Sequence, residues 1–170
     1  MLTLRRAQSV LAFLALTLAL ALLSGCGFHL RGNAEVSLPV KSIYIGLPAN
    51  SPLRVTIVRN IEAAGGTAVV NDPNQAQAVF EVVEPEKRER TVLSLNGAGQ
   101  PIEFTLLYRF SFHVRDNNGH ELVPVTPFTL KRDMSFNPSY ALAKETEADN
   151  LYKDMQQDLA MQVMRRLSAM

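Results

Sequence analysis

The sequence holds one cysteine, three histidines and almost no net charge, and each scarcity removes a class of function. A lone cysteine cannot close an intrachain disulfide, so the fold has no covalent staple of that kind. The histidines, at positions 29, 113 and 120, fall in no metal-ligand spacing. The serines lie in no nucleophile elbow. Formal charge is +1 for the whole chain; without Arg5 and Arg6, 15 Lys and Arg face 16 Asp and Glu, a net of −1. That balance supplies no basic field for nucleic acid. The longest greasy run, Val10 to Leu23, is short of the roughly 20 residues that span a bilayer as a helix. No repeat, low-complexity tract or interdomain linker is present. The chain is therefore expected to be non-enzymatic, with no metal, cofactor or nucleic-acid partner.

What is present begins with a leader. Arg5 and Arg6 precede the apolar run, and Ser24 and Gly25 follow it, the pattern of a secretory signal peptide over 1–25. The single cysteine comes next. Leu23-Ser24-Gly25-Cys26 resembles the bacterial lipobox, which implies that Cys26 becomes a lipidated N-terminus. Three acyl chains hold far more firmly than one, since each buried CH₂ contributes about 0.8 kcal/mol. Gly27, rather than Asp, follows the cysteine; by resemblance to bacterial sorting rules this implies the outer membrane. Residues 26–39 read as a lipidated tether and 40–170 as a single globular domain.

Within that domain Val40 to Ile45 alternates as a strand. Ser51-Pro52 caps and opens a helix carrying Leu53, Ile57, Val58, Ile61 and Ala64, which Gly65-Gly66 ends. A strand lies within 76–95; its second half carries the charge run Glu84 to Arg90, suited to a solvated, protected edge or to a ligand. Ile102, Phe104, Leu106, Tyr108, Phe110, Phe112 and Val114 occupy alternate positions, which predicts a long strand with one greasy face. Asn118-Gly119 predicts a type I′ hairpin into a return strand over about 121–136. Pro124 and Pro127 put that strand at an edge or a bulge. Asn137-Pro138 opens a last helix with Leu151, Met155, Leu159, Val163 and Leu167 spaced by four. The expected fold is α+β, an α/β sandwich: a four-stranded, mostly antiparallel sheet, two helices on one face, order β-α-β-β-β-α.

Three segments taken together, Cys26 to Gly32 ("CGFHLRG"), the aromatic strand pair joined at Asn118-Gly119, and Phe136 to Asp149 ("FNPSYALAKETEAD"), resemble the LptE/RlpB family of lipopolysaccharide-assembly lipoproteins. The resemblance spans 26–170. It implies an outer-membrane lipoprotein that sits on the periplasmic side, inside the lumen of the β-barrel protein LptD, at one-to-one stoichiometry. It further implies help in assembling that barrel and binding of lipopolysaccharide on its way to the outer leaflet.

Lipopolysaccharide phosphates suit Lys and Arg. The basic candidates are Lys144, which the family resemblance places in the Ala-Leu-Ala-Lys motif, then Arg90, Arg88, Lys87, Lys131 and Arg132. Where the family often has a basic residue just before the turn between the second and third strands, this chain has Leu95; Arg88 and Arg90 are the nearby substitutes. Phe28 and His29 belong to the tether, and Glu145, Glu147 and Asp149 read as solvent-facing helix decoration. The alternative is an accessory lipoprotein of another envelope machine, such as outer-membrane barrel assembly. A lipid-anchored cell-wall hydrolase would need a nucleophile or metal constellation that the sequence lacks.

Overall fold

The computed structural model describes residues 37–170. The leader, Cys26 and most of the tether lie outside the described residues. Strand β1 (Ser42–Ile45) leads into helix α1 (Pro52–Ala64). The Ser51 side chain accepts the Arg54 N–H at 3.3 Å, and Pro52 occupies the first turn, where no N–H is needed. Strand β2 (Ala68–Val70) follows, then three long strands: β3 (Ala78–Leu95), β4 (Pro101–Asp116) and β5 (Glu121–Ser135). A single 3₁₀ turn (Pro138–Tyr140) opens helix α2 (Ala141–Leu167).

The sheet has five strands in the order β2-β1-β3-β4-β5, not four. The additional strand, β2, pairs parallel with β1, Ser42 opposite Ala68. Three residues are too few for alternation to declare a strand, and α1 places this one by returning the chain over the sheet. β1 also pairs parallel with β3, while β3, β4 and β5 run antiparallel. The last hairpin differs from expectation too. The Gly119 N–H bonds the Asp116 carbonyl at 3.2 Å, and His120 C=O accepts the Asp116 N–H at 2.8 Å. With Gly119 at φ +85°, this is the three-residue loop with a left-handed last residue, not the two-residue I′ turn.

The greasy face of β4 is buried as its alternation requires. Leu106, Tyr108, Phe110, Phe112 and Val114 have no solvent exposure. Phe80, Phe112 and Phe128 stack across three neighbouring strands, with ring centroids 4.5 and 6.0 Å apart. Leu53, Ile57 and Ile61 of α1 and Met155, Leu159 and Val163 of α2 join the same cluster, so both helices cover one face. β1 stops early, after Ile45 pairs with Phe80. There the Gly46 N–H donates to Phe80 C=O at 2.9 Å, and a Cβ on Gly46 would lie 2.7 Å from that oxygen. From Glu81 onward the outer edge of β3 has no strand partner among the described residues. The charge run therefore lies along a free edge, where Lys and Arg discourage further pairing.

Candidate functional site

Two bulges in β3 decide where the basic side chains point. Val82 pairs with Phe112 and Lys87 with Arg109, with register shifts at Val82/Glu84 and Glu84/Lys87. The extra residues bend the strand without inverting its far half. Arg88 falls opposite Tyr108 and Arg90 opposite Leu106, both on the helix-covered face. Lys87 falls opposite Arg109, and Leu107 is flanked by Glu89 and Lys131, on the open face. Arg132 returns to the helix side opposite Leu106. The six basic candidates thus divide: Arg88, Arg90, Arg132 and Lys144 lie with the helices, and Lys87 and Lys131 lie behind them.

Their electrostatic states differ as well. Arg90 forks onto Glu145, with both nitrogen–oxygen distances under 3 Å (2.7 and 2.8 Å), and lies 5.5 Å from the Phe104 ring centroid. The hydrogen bond from Arg90 holds the Glu145 carboxyl below its usual range. Lys144 Nζ donates to Glu147 at 2.8 Å and to Ser135 Oγ at 3.1 Å. Glu145 and Glu147 are accordingly partners of the basic residues and not mere decoration. Arg132 pairs with Asp158, and Lys87 with Glu89 at 2.7 Å, where Arg109 also approaches at 3.6 Å. Lys131 and Arg88 make no ion pair among the described residues. Arg88 is exposed, and its guanidinium stands 5.2 Å from the Tyr152 ring centroid and 6.0 Å from that of Tyr108. Two aromatic faces hold such a group in place without neutralising it.

Below Arg88 lies a polar knot that the sequence does not announce. Glu86 accepts hydrogen bonds from Tyr108 Oη, from Gln156 Nε2 at 2.7 Å and from Ser51 Oγ at 3.1 Å. It ties the bulged strand to β4 and to the starts and middles of α1 and α2 respectively. Burial, then the bond to Glu86, push the Tyr108 hydroxyl well above the ordinary phenol range. Tyr152 Oη donates to Glu89 C=O at 2.6 Å, fixing the ring beside Arg88. Only side-chain parity around the bulges separates Glu86 from its solvated neighbours, and no local sequence signal reveals it.

Beyond this knot the sheet outruns the helices. Val92, Leu93 and Leu95 of β3 are each half exposed, Ile102 of β4 is 40% exposed, and Leu142 in the first turn of α2 is 83% exposed. The Phe104 and Phe136 rings meet edge to face at 5.1 Å at the same end. A charged, aromatic-braced guanidinium therefore adjoins an apolar strand end, an arrangement matched to an amphiphile carrying anionic groups. Among the described residues no three His, Cys, Asp or Glu gather as a metal site, and no helix is long and apolar enough to cross a membrane.

The architecture, an open-faced α+β sandwich, is that of several solved bacterial lipoproteins. A lipoprotein B from Nitrosomonas europaea superposes with a TM-score of 0.70 at 35% identity, covering 84% of this chain and 91% of that one. A minor lipoprotein from Acinetobacter baumannii gives 0.60 at 26%, over 78% and 93%. The rare lipoprotein B from Shewanella oneidensis, at 21% identity and 0.66, shares the fold. The family model for LptE, lipopolysaccharide-assembly, matches residues 40–167, and the chain belongs to that family. It is similar to the LPS-assembly lipoprotein LptE of Yersinia enterocolitica, 29% identical over 160 residues, 91% of this chain and 73% of that protein. The corresponding Photorhabdus laumondii protein is 28% identical, over 91% and 83%.

Proposed function

We propose that the chain is an outer-membrane lipoprotein, anchored through lipid on Cys26, that fills the lumen of an LptD-type barrel, assists its assembly and binds lipopolysaccharide. Family membership supports the coarse role, lipopolysaccharide assembly. The finer reading rests on one observation: the exposed Arg88 guanidinium, braced by Tyr108 and Tyr152 and without a carboxylate partner among the described residues, beside the bare apolar end of β3. A phosphorylated lipid satisfies both parts, the phosphate through charge-assisted bonds and the acyl chains through apolar burial. No covalent chemistry is asked of the site.

Among the six candidates Arg88 carries the most free charge on the helix side, whereas Arg90 shares its charge with Glu145 and Lys144 with Glu147. R88E is expected to weaken lipopolysaccharide binding by about tenfold to a hundredfold, the worth of one hydrogen bond to a charged group. The double change L93S/L95S should weaken it without altering the urea midpoint, and K144E should have the smaller effect. Equal affinity in the R88E protein, measured with purified lipopolysaccharide, removes Arg88 from the site. The barrel partnership is tested separately by affinity purification of the tagged, lipidated protein from detergent-solubilised outer membranes. A large barrel of the LptD type recovered at one-to-one supports it; other partners without that barrel favour the accessory-lipoprotein alternative.

A further inference from the structure

β5 closes the sheet on the side away from β2 and pairs only with β4 among the described residues. The Phe136 N–H donates to Ile102 C=O at 2.7 Å, and the register then runs unbroken from Glu103–Ser135 to Phe112–Thr126. In an antiparallel pair, residues that exchange such bonds alternate with residues whose N–H and C=O point the other way. The even-numbered residues of this stretch therefore bond β4, while Thr129, Lys131 and Asp133 direct their N–H and C=O away from the sheet. All three are exposed. Pro127, at the next outward position, has no N–H to offer, so the row of donors stops beside Phe128.

At that stop α2 supplies cations. The helix runs back along β5: Lys144 meets Ser135, Asp158 meets Arg132, and Gln162, Arg165, Arg166 and Ala169 surround with Phe128 a shallow pocket of about 310 Å³. Both arginines are exposed, and neither has a carboxylate within ion-pair reach among the described residues. The helix dipole favours cations in its last turn; it does not explain why two unpaired guanidiniums and an amide meet an open strand edge. We infer that this edge takes the free C-terminus of a partner protein as an added antiparallel strand, its last residue beside Phe128 and its α-carboxylate on Arg165 and Arg166. Charge sets the direction. A segment antiparallel to β5 reaches Phe128 with its C-terminus; a parallel one would bring its ammonium group against two guanidiniums. Strand addition contributes main-chain bonds, and the paired forks hold the carboxylate. The ladder is short, consisting of Thr129 N–H and C=O and Lys131 N–H, because Lys131 C=O already accepts Arg132 Nη1 at 2.9 Å. Alternation turns the last and third-last side chains of the added strand to the helix side, toward the pocket and half-exposed Met161, so apolar residues suit those positions and a polar one the position between. The site lies on the opposite edge from Arg88 and does not depend on the lipopolysaccharide reading.

The full-length protein, ¹⁵N-labelled and held in detergent, is titrated with acetyl-Thr-Val-Thr-Val-Thr-Val bearing a free carboxylate, with the same peptide as its C-terminal amide, and with sodium acetate. The Thr129 and Lys131 amide resonances are expected to shift with the free-acid peptide, and that of Val92, on the free edge of β3, to stay still. Amidation of the peptide, or R165Q/R166Q in the protein, should raise the dissociation constant about tenfold or more, the worth of a hydrogen bond to a charged group. T129P, which removes an outward donor as Pro127 does, should weaken the Lys131 response while leaving the urea midpoint near that of the parent. No shift at Thr129 and Lys131 overturns the proposal, as does a shift that T129P leaves intact. Equal binding of the amidated peptide, or of the free acid by R165Q/R166Q, overturns the carboxylate assignment. An equal response to acetate overturns the added strand and leaves a free-anion site, and a shift at Val92 in place of Thr129 puts the strand on the wrong edge.

Discussion

The two ends of β3 are built of similar residues and fare oppositely. Ala78, Val79 and Phe80 are almost fully buried, while Val92, Leu93 and Leu95 are exposed by 50, 52 and 56%. The first three have β1 beside them and the helices above; the last three have only β4. Hydrophobicity along a strand thus reports what must avoid water somewhere, and the coverage supplied by distant elements decides whether this fold or a ligand does the covering.

The largest test of that contrast is a matched pair of truncations. F110A, at a site with no solvent exposure, is expected to cost about 3–5 kcal/mol, whereas L95A should stay within about 0.5 kcal/mol; urea unfolding of both proteins measures it. Comparable losses would mean that the strand end is structural core. Next in size is the polar knot between the two ends. E86A removes the acceptor shared by Tyr108, Gln156 and Ser51, and should cost about 1–3 kcal/mol for the donors left unmet. E86Q, which keeps a carbonyl oxygen, should cost less. An E86A protein as stable as the parent would show that the knot holds nothing together.

The smallest effect is a pH dependence at the buried end. The hydrogen bond from Arg115, with help from His113, holds the Glu81 carboxyl below its ordinary value of 4.5. The unfolded chain therefore takes up this proton first as pH falls. The contribution of Glu81 is complete above pH 4.5 and is lost as pH drops through the lower folded value. Glu81 is about one-third exposed, so solvent screens the effect. Comparing urea midpoints of the parent and E81Q between pH 7 and pH 3, the gap should close only in the acid range. A gap that persists unchanged at pH 3 would assign the stabilisation to something other than the Glu81 charge.

Much of this architecture is legible in the residues. The alternation of β4, the Ser51-Pro52 cap and the four-residue spacing of α2 each act through neighbours within a few positions, so the sequence displays them directly. β2 does not announce itself because three residues carry no period, and its place depends on α1. The site was legible as a list of basic residues and illegible as an arrangement. Arg90 and Glu145 are 55 residues apart, the brace around Arg88 draws on three elements, and nothing between Val82 and Lys87 declares two bulges. Glu86 is the plainest omission, one carboxylate in a charge run, joined to β4 and to both helices.

Those bulges have a consequence for how the molecule can change over generations. Between the Val82–Phe112 and Lys87–Arg109 pairs, β3 spends five steps against three on β4, an even surplus that keeps both strands in phase. Loss of one residue there would act like a spatial frameshift. Every side chain from Lys87 to the hairpin would trade faces, carrying Arg88 and Arg90 away from the helices and pressing Lys87 and Glu89 against Tyr152. Apart from Glu86, whose carboxylate is shared by Tyr108, Gln156 and Ser51, point substitutions along this edge are cheap to explore, and length changes are not. The segment should vary in its other letters while its count of residues stays fixed, or changes by two.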